Sequence, residues 1–340
     1  MLPFLRSDLV WPEEGPVLFL RARDGAALRQ LPLRSLVCEQ SFKPDADALV
    51  QARLDVIADA DLSAQAGRFA AVLILPPRQR DEARALFARA LALAAPGAPV
   101  IASVPNSEGA KTAEADMRAI AGGLDGMLSK YHCRVFWKHR NDEEAEGALR
   151  DAWRALDAPR AILGGRFISR PGVFAWDRID TASALLAEHL PGDLRGEGAD
   201  LGAGYGYLTA EVLSRNEAVT GVDLYEAEAR ALALAERNLA DARVPLGFHW
   251  HDVTRGIAKR YDFTVSNPPF HAQGRASRPD IGQRFIRVAA EALRPGGRLW
   301  LVANRHLPYE EVVQQHFRQA RVHAARDGFK IIEAVRDGRA

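Results

Sequence analysis

The sequence has few cysteines, no long apolar run and almost no net charge. Its 340 residues include only two cysteines, Cys38 and Cys133, whose spacing matches neither a metal site nor a disulfide framework. No apolar run approaches the ~18 residues of a transmembrane helix, and the first eight residues lack the features of a signal peptide. These absences predict a globular cytoplasmic protein with no metal and no membrane partner.

The small net charge of +1 conceals an uneven distribution. Residues 1–250 carry 29 basic and 35 acidic side chains, a net of −6, whereas residues 251–340 carry 16 and 9, a net of +7. A cationic C-terminal stretch suits a polyanionic partner such as RNA. An arginine-rich surface that only contacts solvent explains the same numbers, so both interpretations stay open.

Apolar runs with strand patterning alternate with amphipathic runs after about residue 170. The pattern predicts helices over 207–215 and 281–293, and strands over 218–222, 261–266 and 329–335. Strands and helices that alternate in this way form a mostly parallel sheet with helices on both faces. We therefore expect an α/β, doubly wound fold.

The first half of the chain echoes the second. An apolar run ends in Pro76-Pro77 as another ends in Pro268-Pro269, and in both halves a helix, a Pro-Gly pair and a strand follow. This indicates two tandem α/β domains, although two unrelated doubly wound domains would also look alike. Because the first half has Leu75 where the second has Asn267, chemistry is expected only in the second.

A glycine-rich turn precedes the helix predicted at 207. In Asp200-Leu-Gly-Ala-Gly-Tyr-Gly206, the glycines allow close approach of a ligand to the backbone, and the helix N-terminus offers free N–H groups. The spacing departs from the Gly-x-Gly-x-x-Gly of dinucleotide-binding proteins. It suits the amino-acid end of S-adenosylmethionine better, although such a string can also be a simple turn.

Two acids follow the next predicted strands. Asp223 comes directly after the strand predicted at 218–222, where a carboxylate can accept hydrogen bonds from both ribose hydroxyls. Asp252 follows a short strand at 248–250, where it could accept a bond from an adenine amino group. Asp223 could instead cap a helix, and Asp252 could be an exposed loop acid.

The most specific motif is Asn267-Pro268-Pro269-Phe270, which follows a buried strand. The prolines fix the backbone, so the Asn267 side-chain oxygen and the Pro268 carbonyl become two acceptors in fixed positions. Together they could hold both N–H bonds of a planar amino group and aim its lone pair at a methyl donor. Phe270 offers a ring on which a base could stack. The alternative is a plain Asn-Pro turn.

These motifs resemble class I S-adenosylmethionine-dependent methyltransferases that act on planar amino nitrogens. Further segments are similar to the ribosomal RNA guanine-N2 methyltransferases known as small-subunit methyltransferase C and large-subunit methyltransferase G. They are Gly172–Asp180, His271 after the prolines, Leu301–Tyr309, Phe329-Lys330 and, in the first half, Asn106–Lys111 and Ser129–His132. The resemblance implies two Rossmann-like methyltransferase domains: a degenerate domain at 1–150 for RNA docking or structural support, a linker at 151–170 and a catalytic domain at 171–340.

The resemblance also implies roles for single residues. Asn267, Pro268 and Phe270 would hold a flipped guanine. The implied cofactor-binding residues are Phe174, Asp180, Asp200, Gly202, Gly204, Asp223, Asp252 and Asn267. Apart from the resemblance, Arg275, Arg278, Arg284 and Arg287 lie beside the Asn-Pro-Pro motif and are candidates for RNA phosphate contacts. Arg284 and Arg287 could instead be solvent-exposed positions of a helix.

The sequence therefore predicts methylation of the N2 amino group of a guanine in ribosomal RNA, with 16S rRNA or the small ribosomal subunit as the first choice of partner. Large-subunit rRNA is an alternative. An adenine-N6 or protein glutamine-N5 methyltransferase typically has Tyr where this chain has Phe270. A pseudoenzyme that only binds RNA is argued against by Asp223 and Asn267, and a nicotinamide dehydrogenase by the glycine spacing.

Overall fold

The structure is a computed structural model that describes residues 1–58, 63–141, 147–269 and 279–337. None of the helices in these ranges combines the length and the hydropathy that a membrane span needs. The chain divides into two compact units: Met1–Arg160 with Arg170–Gly172, and Ala161–Ser169 with Val173–Ala340.

The first unit contains a seven-stranded sheet among its described residues. Its elements in chain order are α1 (Leu2–Leu5), β1 (Val17–Leu20), β2 (Leu36–Glu39), α2 (Lys43–Gln51), β3 (Asp55–Ile57), β4 (Ala71–Ile74), α3 (Arg80–Leu93), β5 (Pro99–Pro105), α4 (Ala110–Ile120), β6 (Gly126–Lys130), β7 (Cys133–His139) and α5 (Gly147–Arg154). The strand order is β3-β2-β1-β4-β5-β7-β6, and β7 runs antiparallel to both β5 and β6.

The second unit repeats this arrangement. Its elements, starting with a strand that begins at the division between the units, are β8 (Arg160–Ile162), β9 (Phe167–Ser169), α6 (Thr181–His189), β10 (Gly196–Leu201), α7 (Tyr207–Arg215), β11 (Val219–Glu226), α8 (Ala229–Asn238), β12 (Leu246–Trp250), β13 (Tyr261–Ser266), α9 (Pro279–Ala292), β14 (Leu293–Asn304), α10 (Glu310–His316), β15 (Gln319–Arg326) and β16 (Phe329–Val335). The order β12-β11-β10-β13-β14-β16-β15 is that of the first sheet. The prediction of two tandem doubly wound sheets is thereby confirmed.

Helices cover both faces of the second sheet. Residues of α6, α7 and α8 pack with Val222, Leu224, Phe263 and Trp300 on one face. Residues of α9 and α10 pack with Tyr225, Tyr261, Leu299 and Leu301 on the other. Since side chains alternate between faces along a strand, each strand contributes to both cores, and the carboxyl ends of the parallel strands are left for a ligand.

Three elements have the bounds that we expected from the apolar patterning: the helix Tyr207–Arg215 and the strands Tyr261–Ser266 and Phe329–Val335. The strand predicted at 218–222 was ended too early, because β11 continues to Glu226. The segment expected to be a linker, 151–170, contains the end of α5, where Trp153 is buried in the core of the first unit, together with β8 and β9.

Candidate active site

Four neighbouring strands of the second sheet end in polar or glycine-rich segments. The parallel strands β12, β11, β10 and β13 lie side by side. At or beyond their carboxyl ends lie, respectively, Asp252, the terminal residue Glu226, the turn that begins at Gly202, and Asn267. This edge is where open parallel sheets bind their ligands.

The glycines of the turn after β10 all lie in the left-handed region, with φ of 80° at Gly202, 57° at Gly204 and 91° at Gly206. A Cβ on Gly204 would meet no atom within 4 Å, so this residue faces open space. A Cβ on Gly206 would lie 2.9 Å from Leu239 Cδ1, so that glycine serves close packing. Gly204 therefore leaves room for a ligand, whereas a Cβ on Gly202 would lie 3.5 Å from the Phe285 ring. The predicted cofactor contacts of both glycines stay predictions.

Asp200 precedes this turn, and its predicted contact with the cofactor stays a prediction; its Oδ1 has no hydrogen-bond partner among the described residues. Its side chain is fully buried, and Thr209 Oγ1 on α7 donates to its Oδ2 at 2.8 Å. Burial raises the pKa of Asp200 to about 7, with the hydrogen bond from Thr209 opposing the shift and the nearby Glu226 carboxylate adding to it. Asp200 therefore ties β10 to α7 behind the glycine turn.

Asp223 lies elsewhere than predicted. Because β11 extends to Glu226, Asp223 is three residues before the end of its strand. Its Oδ2 accepts hydrogen bonds from the Tyr261 hydroxyl at 2.6 Å and from Lys259 Nζ at 2.9 Å. Burial alone would raise the pKa of Asp223, but these two bonds outweigh it and lower the pKa. Asp223 thus belongs to a network on the face that packs against α9.

Glu226 is the acid that the sequence analysis missed. Its Oε2 accepts from Gly204 N at 2.7 Å, and its Oε1 accepts from Glu228 N at 2.8 Å. An ionised carboxylate has about four acceptor positions, so both oxygens keep capacity for two ribose hydroxyls. Burial raises the pKa of Glu226. The signal that could have found it is the alternation of Val222, Leu224 and Glu226 on one face of a longer strand.

Asp252 follows β12 and caps a single turn of helix. Its Oδ1 accepts from Thr254 N at 2.9 Å and from Thr254 Oγ1 at 2.7 Å. The preceding His251 N donates to the Glu226 carbonyl at 2.9 Å, which brings the ends of β12 and β11 together. The predicted adenine contact of Asp252 stays a prediction.

Asn267 is held by its amide nitrogen. Nδ2 donates to Asp180 Oδ2 at 3.0 Å and to Ser183 Oγ at 2.8 Å. Asp180 Oδ2 also accepts from Ser183 N at 2.9 Å, so it caps α6 as well. Because both acceptors engage the nitrogen end, Asn267 Oδ1 is turned away from them, and among the described residues this buried oxygen has no hydrogen-bond partner. A buried unpaired acceptor is costly and marks a place for a donor.

The turn and Asn267 border one cleft that is open to solvent. It is lined by Phe174, Ala175, Asp180, Ser183, Gly202, Ala203, Gly204, Tyr205, Tyr207, Leu208 and Asn267. Phe174, with 67% of its surface exposed, stands at the mouth. Of the other predicted residues, Pro268 is buried directly after Asn267, whereas Phe270, Arg275 and Arg278 lie outside the described residues.

The cleft fits the amino-acid and ribose parts of S-adenosylmethionine. The open space at Gly204 admits a ligand against the backbone, and Glu226, which accepts from Gly204 N, keeps acceptor capacity for hydroxyl groups. The unpaired Oδ1 of Asn267 lies at the same cleft. These residues thus combine a cofactor cradle with an acceptor for a second molecule.

Known proteins are similar to this chain in sequence and in fold. The model of the methyltransferase small domain family matches residues 164–333. Ribosomal RNA small subunit methyltransferase C of Pseudomonas paraeruginosa (strain PA7) is 32% identical over 280 residues, which cover 81% of this chain and 82% of that protein. The protein of the same name from Psychromonas ingrahamii is 27% identical, over 79% of this chain and 76% of its own.

A solved structure matches both units. It is the 16S rRNA N2 G1207 methyltransferase of T. thermophilus in complex with AdoMet and guanosine. It superposes with a TM-score of 0.79 at 25% sequence identity, over 97% of this chain and 90% of that chain.

Proposed function

This chain belongs to the family of ribosomal RNA small subunit methyltransferases C, and from that premise we propose that it methylates the N2 amino group of a guanine in 16S rRNA with S-adenosylmethionine as the donor. The resemblance that the sequence showed is confirmed for the small-subunit methyltransferases C. Large-subunit rRNA, adenine and protein glutamine are thereby less favoured substrates.

The observation that carries the proposal is the orientation of Asn267. Asp180 and Ser183 bind its nitrogen, so its buried oxygen is the atom left for a substrate donor. The exocyclic amine of guanine has two such N–H donors, one for Asn267 Oδ1 and one for the predicted second acceptor, the Pro268 carbonyl. An amine held in this way has its lone pair aimed along a fixed direction.

When bound, S-adenosylmethionine supplies an electrophilic methyl group on its sulfonium. The chain's own contribution is to hold the two reactants in line: Gly202, Gly204 and Glu226 for the donor, Asn267 and Pro268 for the amine. Orientation of this kind removes several kcal/mol from a two-substrate barrier. A guanine inside a helix must leave its stack to reach the cleft.

The guanine and the form of the substrate belong to the same proposal. The matching structure is that of an enzyme specific for G1207, and we propose the corresponding guanine of 16S rRNA, presented in the small ribosomal subunit, as the target. The reaction would then take place in the cytoplasm, where ribosomes are. The first unit would serve RNA docking or structural support, since it has Leu75 where the second unit has Asn267.

Transfer of a tritiated methyl group to small ribosomal subunits from cells that lack this modification tests the proposal. We expect Asn267→Ala to lower kcat by about 100-fold or more, while the affinity for S-adenosylmethionine, measured by calorimetry, changes little. Methyl transfer by Asn267→Ala at nearly the wild-type rate would refute the role of Asn267. Parallel assays on deproteinised rRNA and on the assembled ribosomal particle identify the preferred form.

Asp180 provides a matched pair of variants. Asp180→Ala removes an acceptor from Asn267 and the cap from α6, and we expect kcat to fall about 10-fold together with a loss of about 1 kcal/mol in stability. Asp180→Asn keeps an oxygen for both bonds and should restore most of the rate. Equal rates in both variants would show that Asp180 does not orient Asn267.

A further inference from the structure

The segment Asn304–Tyr309 after β14 has no part in the reaction described so far. β14 lies parallel to β13, and Leu301 is the register partner of Ser266, the residue before Asn267. Three residues after these partners come Asn304 and Pro269. The segment therefore leaves the sheet beside the Asn267-Pro268-Pro269 turn, at the same edge.

A buried lysine fixes the shape of this segment. Lys330 on β16 has only 6% of its side chain exposed, and its Nζ donates to the Leu307 carbonyl at 2.8 Å and pairs with Glu310. Arg305 N donates to the Gly328 carbonyl at 2.8 Å. Burial of an ammonium group carries a desolvation cost, which here is offset by bonds that hold one loop conformation.

Tyr309 anchors the other end of the segment. It is fully buried beneath α9, and a Cβ on Gly282 would lie 1.8 Å from its hydroxyl oxygen. The absence of a side chain at Gly282 therefore lets the tyrosine ring in. The loop between β14 and α10 is thus held at both ends.

The side chains that this rigid loop presents are cationic. Arg305 and His306 are both exposed, and among the described residues no group forms an ion pair or hydrogen bond with either side chain, although the His306 N–H donates to Asn304 Oδ1 at 3.1 Å. Of the acids that follow, Glu310 is engaged by Lys330, and Glu311 is exposed one residue further along α10. By contrast, Arg294 and Arg298 of β14 both pair with carboxylates. Arg305 is therefore available to an external anion.

We propose that the Asn304–Tyr309 loop binds the rRNA backbone next to the target guanine, with Arg305 on a phosphate and His306 beside it; this inference rests on the proposed function. A nucleotide that is flipped out of its stack stays joined to its two flanking phosphates, so cations at this edge of the sheet can contact them. A guanidinium suits a phosphate in charge and in geometry. Lys330 is then a positioning residue, since it acts through the loop.

The test compares Arg305→Ala and Arg305→Glu with Arg237→Ala, which removes another exposed arginine of the second unit, in the last turn of α8. Binding of small ribosomal subunits is measured over a range of salt concentrations, with KM, kcat and cofactor affinity. We expect Arg305→Ala to weaken RNA binding about 5- to 10-fold and to reduce the salt slope by about one. Arg305→Glu should weaken it more, and Arg305→Lys should restore most of it.

The expected changes fall on KM and not on kcat or on S-adenosylmethionine affinity. Lys330→Met should raise KM through the loosened loop, and the Arg305 variants decide the matter if that protein does not fold. If Arg305→Ala and Arg305→Glu bind RNA like Arg237→Ala while the wild type transfers methyl groups, the loop proposal is wrong. If the wild type transfers none to 16S rRNA, the proposed function itself fails.

Discussion

The chain builds the same sheet twice, and in the part of the chain that the structure describes the two copies differ at the edge where a parallel sheet binds its ligand. The registers make the two copies comparable residue by residue: Leu20 pairs with Glu39 in the first sheet as Leu201 pairs with Tyr225 in the second. One residue further along the chain, Arg21 corresponds to Gly202, and Gln40 corresponds to Glu226. The strand order is the same in both copies, whereas the residues at the carboxyl edge differ.

In the first unit, both polar atoms of the Gln40 side chain form hydrogen bonds with the backbone of the same unit. Its Oε1 accepts from Phe42 N at 2.9 Å, as Glu226 Oε1 accepts from Glu228 N. Its other atom is a nitrogen, which donates to the Ala22 carbonyl at 2.7 Å, whereas Glu226 uses an oxygen to accept from Gly204. The Gln40 side chain thus bonds to backbone groups of its own unit, and it has no carboxylate that could accept from ribose hydroxyls.

Arg21 completes the contrast. It occupies the left-handed region with φ of 54°, as Gly202 does with 80°, so the backbone turn survives without its glycine. Its side chain pairs with the buried Glu82 at 2.8 Å. The comparison shows that the strand order is maintained by the apolar core, whereas ligand binding depends on a few residues at the carboxyl edge. In the first unit, the corresponding Arg21 forms an ion pair within the protein instead.

The largest effect on stability is expected at a pair of neighbouring core positions at which the two sheets place the larger side chain on different strands. Gly198 lies beside Phe263, and the corresponding first-sheet pair is Val17 beside Ala71. A Cβ on Gly198 would lie 2.1 Å from the Phe263 ring. Gly198→Val should therefore lower the free energy of unfolding by about 3 kcal/mol or more, as measured by urea denaturation.

The double variant Gly198→Val/Phe263→Ala copies the first-sheet pair. Phe263→Ala alone leaves a cavity that costs about 3–5 kcal/mol, so the double variant should be more stable than the sum of the single changes by about 1–3 kcal/mol. Strict additivity would mean that the two positions do not compensate each other in volume.

The same pair explains one limit of sequence analysis. The segment before Asp200 reads Arg195-Gly-Glu-Gly-Ala, which is too polar for the usual pattern of a buried strand. In the structure, Gly198 is required by the ring of Phe263, which comes 65 residues later. A local pattern cannot reveal a partner so distant in sequence, whereas the clear apolar run Tyr261–Ser266 could be recognised alone.

The candidate site was predictable to a similar degree. The glycine turn and Asn267 were found because their residue types have few other uses at that spacing, and both border the cleft. Asp223 was placed at the end of its strand, and Glu226 was not considered, because the strand was ended too early. β11 runs on to Glu226, so Asp223 lies inside the strand. The bracing of Asn267 by Asp180 and Ser183 joins residues more than 80 positions apart.

Glu226→Gln makes the second site resemble the first at one position. The amide nitrogen cannot accept from Gly204 N and a ribose hydroxyl together, so we expect affinity for S-adenosylmethionine to fall about 30-fold, or about 2 kcal/mol. Calorimetry measures the change, with the exposed Glu236→Gln on α8 as the matched control. Gln40→Glu in the first unit should create no second binding event, because Arg21 and Glu82 remain there.

The last effect depends on pH and concerns Asp200, which corresponds to the apolar Phe19 of the first sheet. Burial raises the pKa of Asp200 to about 7 from an ordinary value of 3.8. Between these values the folded protein holds a proton that the unfolded chain has released. The free energy of unfolding therefore falls as pH rises from 5 to 7, by about 1 kcal/mol per pH unit from this group.

Asp200→Asn keeps an acceptor for Thr209 and has nothing to titrate, so it should remove that slope and make the protein more stable than the wild type at pH 7 and above. Urea unfolding at several pH values between 5 and 8 measures the difference between the two proteins. Asp223, whose pKa is lowered, titrates below this window. Glu226, whose pKa is raised and whose carboxylate interacts with Asp200, adds its own pH dependence to both proteins. If the free energy of unfolding changes with pH in the same way in both proteins, the pKa of Asp200 is not raised. The prediction that Asp200, unlike Phe19, makes stability depend on pH would then be wrong.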